Sequence, residues 1–189
     1  MKLGLCGAHR TGKTTLAAEF AKQHNFAFVR TTTSEVFAKH GLDPAQPMDF
    51  STRLWIQHKV LEAAEAIWAK HQDEDFVTDR TPLDMLAYTL ADIKGDTVVD
   101  MDQLDDYMLR CFESSEKHFN RLVLVQPGIP LVFEQGKAAL NEAYIETLNT
   151  IVTGLMYDER QELDSATMPR PILDLQERVE FLADELELD

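Results

Sequence analysis

The sequence predicts an α/β fold: a parallel sheet with helices packed on both faces. Two observations carry that expectation. Short, continuous apolar runs alternate with longer segments of helical periodicity, which is the pattern of strands buried on both faces by crossover helices. In addition, Gly7-Ala8-His9-Arg10-Thr11-Gly12-Lys13-Thr14 matches GxxxxGK[ST] and lies between an apolar run and an amphipathic segment. That strand–loop–helix context gives the motif its physical meaning.

The elements follow in chain order. Leu3 to Gly7 reads as the first strand. Lys13 to His24 reads as the first helix, with Leu16, Ala17, Phe20 and Ala21 on one face at helical spacing. Phe26 to Val29 is a second strand. Thr32-x-x-Glu35 has capping-box spacing and opens a short helix ending before Gly41. After the loop Asp43–Pro47, a long helix runs from about Ser51 to His71, its stripe made by Ile56, Val60, Ala63, Ala64 and Ile67. Asp75 to Asp79 is a third strand. Thr81 caps the next helix, with Pro82 in its first turn. A helix spans about Met101 to Phe119, and Leu122 to Val125 is a strand closed by Pro127-Gly128. Lys137 to Gly154 and Leu173 to Leu186 are helical, with a fifth strand expected between Glu162 and Met168. No repeat or linker divides the chain, so residues 1–189 are read as one domain.

Composition narrows the function classes. The formal net charge is −15, which argues against a broad surface for nucleic-acid phosphates, since that needs clustered Lys and Arg. No apolar stretch reaches the roughly 18 residues that span a bilayer, and the start of the chain enters the phosphate motif too soon for a signal peptide. Cys6 and Cys111 lie far apart and form no CxxC, which disfavours zinc and disulfides and fits a reducing cytoplasm. The six histidines contain no i,i+4 pair, and no zinc site is assigned.

The loop motif binds phosphates through inward backbone N–H groups and the start of the following helix. Lys13 neutralises charge on the β- and γ-phosphates of ATP, and Thr14 offers a hydroxyl to Mg²⁺. The nucleotide-binding set is Gly7, Ala8, His9, Arg10, Thr11, Gly12, Lys13, Thr14 and Thr15. Of these, His9 and Arg10 are read as loop-tip side chains facing solvent. Asp79 ends the third strand, where a carboxylate reaches the ligand crevice. It is assigned to Mg²⁺ with Thr14, or to the acceptor's proton. Arg80 beside it stabilises transferring charge, so Lys13, Asp79 and Arg80 are the catalytic candidates. A GTPase is disfavoured, because there is no N-K-x-D and no glycine three residues after Asp79. Motor and AAA-type ATPases are set aside because the chain is short for their extra modules.

Three segments together resemble a family of small P-loop proteins, many of them phage-encoded, related to nucleoside and nucleotide kinases: Gly7 to Thr15, Thr78-Asp79-Arg80-Thr81-Pro82-Leu83-Asp84, and Leu173 to Leu182. The acidic-Arg pair is similar to that of thymidylate and deoxynucleoside kinases. The resemblance implies a three-layer fold whose five-stranded parallel sheet has the order 2-3-1-4-5. It implies an acceptor-binding helical region at about residues 31–72, a lid at about 127–137, and a soluble protein of the cytoplasm, the host's if phage-encoded. It is compatible with a homodimer and implies no membrane partner. Such lids carry arginines, but here only Lys137 is basic, a point charge without bidentate geometry.

On the acceptor side, Arg53 and Gln57 are four apart and share a helix face. An Arg suits an acceptor phosphate and a Gln amide suits a base edge. Related nucleoside kinases use a Gln of this helix in that way. Arg30 is a further substrate-binding candidate. Trp55 and Trp68 are read as packing. The leading expectation is an ATP- and Mg²⁺-dependent kinase of a small nucleoside or nucleoside monophosphate. The alternatives are a kinase of 5-hydroxymethyluracil in DNA, with DNA as partner, and a non-catalytic ATP-binding regulatory module.

Overall fold

A computed structural model describes residues 1–44, 46–132 and 140–188. Five parallel strands, β1 (Lys2–Cys6), β2 (Ala27–Val29), β3 (Phe76–Thr78), β4 (Arg121–Val125) and β5 (Ser165–Met168), form one sheet in the order β2-β3-β1-β4-β5. The helices are α1 (Lys13–His24), α2 (Thr33–Lys39), α3 (Phe50–Trp68), α4 (Pro82–Ala91), α5 (Met101–His118), α6 (Glu142–Met156) and α7 (Leu175–Glu185). A 3-10 turn, Ala69–His71, continues α3.

Alternation along the strands divides the core in two. Leu3, Leu5, Val77, Val123 and Val125 pack against Leu16, Phe20, Val179 and Leu182 of α1 and α7. Cys6, Phe76, Leu122 and Leu124 point to the opposite face and join α3 to α6. Phe20 is fully buried, and burial of such a side chain contributes about 2 kcal/mol. β1 lies between β3 and β4, with Gly4 opposite Thr78 and Cys6 opposite Leu124. The loops leaving β1 and β3 therefore emerge side by side at the carboxyl edge of the sheet, where open α/β sheets hold their ligands.

Local differences from the sequence reading have physical causes. The capping box expected at Thr32 does not form: no side-chain bond caps α2, and Thr32 has φ −114° and ψ 48° rather than extended geometry. Glu35 is exposed there, so water competes for its carboxylate. At α4 the box is complete, with Asp84 accepting from the backbone N–H and hydroxyl of Thr81. The sixth helix, expected from Lys137, runs from Glu142 and is capped by Asn141; residues 137–139 of that expectation lie outside the described residues. Among the described residues, no helix is long and apolar enough to cross a membrane.

Candidate active site

The loop from Gly7 to Gly12 turns sharply because its backbone enters the left-handed region at φ 133° for Gly7, 64° for Arg10 and 82° for Gly12. A Cβ at Gly7 would stand 2.6 Å from the carbonyl oxygen of Val125. Only glycine fits there, and the constraint ties the loop to the end of β4. Lys13 opens α1 and folds back into the loop, donating to the carbonyls of Gly7 at 2.5 Å and Ala8 at 2.7 Å. The next residue, Thr14, donates from its hydroxyl to Asp79 Oδ2 at 2.5 Å. β1 and β3 are neighbours, so a side chain from each following segment meets in the crevice.

Beneath this pair lies Asp84, which the sequence reading named only as the last residue of the segment from Thr78 that carries the family resemblance, with no role of its own. It is 2% exposed and accepts from the N–H of Gly7 at 2.7 Å. Its Oδ1 stands 4.0 Å from Lys13 Nζ. Burial pushes the Asp84 carboxyl above its ordinary range, opposed by the charges of Lys13 and Arg80. Burial likewise pushes the Lys13 ammonium down, opposed first by Asp84. The pair presets the lysine inside the loop. The sequence signal was the Thr81-x-x-Asp84 box on a helix that is otherwise apolar.

Arg80 Nη1 donates to the Thr33 hydroxyl at 3.2 Å, and its guanidinium lies 5.8 Å from the centre of the Tyr88 ring. His9 does not face solvent as expected. It is half-buried, its Nδ1 sharing a 2.9 Å hydrogen bond with the Tyr88 hydroxyl. Burial pushes that phenol up to about 12, so Tyr88 stays neutral and polar at the loop's tip. Arg10 reaches toward the segment after β4, its Nη1 3.5 Å from the carbonyl of Val132.

A cavity of about 340 Å³ is lined by His9 to Thr15, Asp79 and Arg80 on one side and by Ile129, Pro130 and Val132 on the other. Its loop carries N–H groups and a lysine for phosphates, and Thr14 with Asp79 forms an oxygen pair suited to a hard divalent cation. These residues fit a nucleotide triphosphate and Mg²⁺.

The acceptor-side candidates are distributed differently. A second cavity, about 760 Å³, is lined by the segment before α3, by Arg53 and by the loop after α4. Arg53 Nε pairs there with Asp92 Oδ2 at 2.6 Å. The Tyr144 ring is 5.8 Å from that of His9, and burial followed by the Asp92 charge raises its phenol. Gln57 is buried, its side chain makes no hydrogen bond with the described residues, and it lines neither cavity. Arg30 is exposed and lies over Phe28, also away from both. Trp68 is buried in the core, whereas Trp55 is 45% exposed and meets His40 edge-on. Lys137 lies outside the described residues.

A family model described as an AAA domain matches residues 2–138. The match corrects the exclusion of AAA-type proteins on length, since it extends over residues 2–138 of this short chain. No curated protein matches the chain. Among solved structures, the chain is similar to deoxyadenosine kinase from M. mycoides with products dCMP and a flexible dCDP bound, at 17% identity over 99% of both chains and a TM-score of 0.70. It is similar to YorR of Bacillus subtilis in complex with phosphorylated GDP, at 14% identity over 99% of this chain and 96% of that one, TM-score 0.56. It is also similar to thymidylate kinase from Candida albicans, at 11% identity over 98% and 90% of the two chains, TM-score 0.56. At these identities the likeness establishes a P-loop kinase-like fold.

Proposed function

We propose a function from one premise: the chain belongs to the AAA-domain family. On its P-loop kinase-like fold it transfers the γ-phosphoryl group of ATP to the hydroxyl of a nucleoside. The observation that carries this reading is the convergence of Lys13, Thr14, Asp79 and Arg80 on one 340 Å³ cavity. Phosphoryl transfer asks a protein mainly for positioning and charge, and this set supplies both.

Thr14 and Asp79 would hold Mg²⁺, which when bound offsets phosphate charge. Lys13, held by Asp84 and the loop carbonyls, exchanges those carbonyls for phosphate oxygens when nucleotide enters. Arg80 approaches from the end of β3 and stabilises charge on the group in transit. The segment at about residues 127–137 serves as the lid, and the region of about residues 31–72 serves the acceptor.

An uncharged acceptor is supported by the ion pair of Arg53 with Asp92. The larger cavity also carries Asp49 and Asp96 against Lys94, so its walls repel an acceptor phosphate. Both cysteines are free and buried, which suits a reducing cytoplasm.

Labelled ATP offered with nucleosides, nucleoside monophosphates and hydroxymethylated DNA tests the reading. Label on a nucleoside is expected. Label only on DNA transfers the function to base modification, and nucleotide binding without transfer to any acceptor makes the chain a binding module.

A further inference from the structure

Arg178 is 4% exposed, a rare place for a charge that has no carboxylate beside it. Among the described residues it makes no ion pair. Its Nη2 donates to the carbonyl of Thr11 at 2.8 Å, and its Nε approaches Met168 Sδ at 3.2 Å. Nη1 makes no hydrogen bond with the described residues and stands under Gly12, where a Cβ would come within 2.8 Å of it. The guanidinium thus forms part of the floor of the phosphate loop, brought there by the first turns of α7, which Asp174 caps. Burial pushes the Arg178 guanidinium down from its ordinary value, but an arginine keeps its charge at neutral pH.

A buried, unpaired cation is costly by itself. The cost is offset if an anion arrives within its field. The Thr11–Gly12 turn is where phosphate oxygens meet the loop, and the low local dielectric strengthens attraction across that short distance.

We infer that Arg178 is a positioning residue of the nucleotide site: it braces the Thr11–Gly12 turn through the Thr11 carbonyl and supplies from below the loop a permanent positive charge that favours nucleoside triphosphate over diphosphate. It acts through the loop and touches no reacting atom. The inference rests on the nucleotide site proposed above and adds a determinant contributed by the last helix.

The test titrates the full chain with MgATP and MgADP and follows thermal unfolding of each variant. Arg178→Met keeps the buried stem and removes the charge. Its ATP affinity falls about tenfold to a hundredfold, the worth of one hydrogen bond to a charged group, and its ADP affinity falls less. Arg178→Lys restores most of the preference for ATP. Arg178→Gln keeps a donor for Thr11 without charge, and it repeats the ATP-selective loss if the Met variant does not fold. Equal losses for ATP and ADP overturn the charge role and leave a brace alone. Wild-type affinities in the folded uncharged variants overturn the inference entirely while leaving the nucleotide site standing. A wild-type chain that binds neither nucleotide overturns both.

Discussion

The hydroxyl of Thr14 donates to Asp79 Oδ2 at 2.5 Å, joining the start of α1 to the end of β3. The pair is a ready set of oxygens for a divalent cation at the mouth of the phosphate loop. Asp79→Asn keeps the shape and removes the negative charge. Turnover is expected to fall by a hundredfold or more, roughly the effect of losing one preorganised charged group, while ATP affinity in metal-free solution changes little. Equal loss of metal-free binding assigns Asp79 to structure instead.

Asp84 and Lys13 form a buried ion pair under the same loop. Asp84→Asn leaves the lysine without its partner and turns an amide donor toward N–H groups that now have an acceptor. Breaking a buried pair in this way costs about 3–5 kcal/mol. Urea unfolding of the variant checks the loss, and nucleotide titration checks that loop order goes with it.

Arg53 and Asp92 bear on the acceptor. Asp92→Asn frees the guanidinium, so the KM for a nucleoside monophosphate should drop relative to that for the nucleoside. Gln57 is buried and lines neither cavity, so Gln57→Ala should leave the acceptor KM and the ATP KM near their wild-type values. A rise in the acceptor KM alone would return Gln57 to the acceptor site.

Acid sensitivity follows from the caps. The Asp49 carboxylate accepts from the Ser51 hydroxyl and from the N–H and hydroxyl of Thr52. These bonds hold its carboxyl at about 2, and the Arg160 guanidinium does the same for Asp158. A folded value below the ordinary one means these groups stabilise the fold fully above about pH 4. The contribution is lost as pH falls toward about 2. The urea midpoint should decline across that window, and Asp49→Asn, which still caps α3, should show a shallower decline.

The strands and the phosphate loop were legible because local pattern determines them: apolar runs, helical spacing and an eight-residue motif. Asp79 and Arg80 were legible because they stand where a strand ends. Asp84 and Arg178 were not, because their partners Gly7 and Thr11 lie 77 and 167 residues away. The capping box read at Thr32 and Glu35 did not form, whereas Thr81, read only as a cap, closes one with Asp84. The apolar surroundings of α4 exclude the water that competes at Glu35. The ion pair that occupies Arg53 was equally invisible, since nothing local marks Asp92 as its partner.

The central claim is that this loop and crevice carry out phosphoryl transfer. It is tested most directly by following γ-labelled ATP with a nucleoside panel, comparing the wild-type chain with Lys13→Ala. Lys13 Nζ sits inside the loop, and loss of such a charge typically removes about 3–4 kcal/mol of transition-state stabilisation. The wild-type chain should label a nucleoside, and the folded variant should lose that label by a hundredfold or more. Near-native transfer by folded Lys13→Ala, or no transfer by the wild-type chain to any nucleoside, would contradict it.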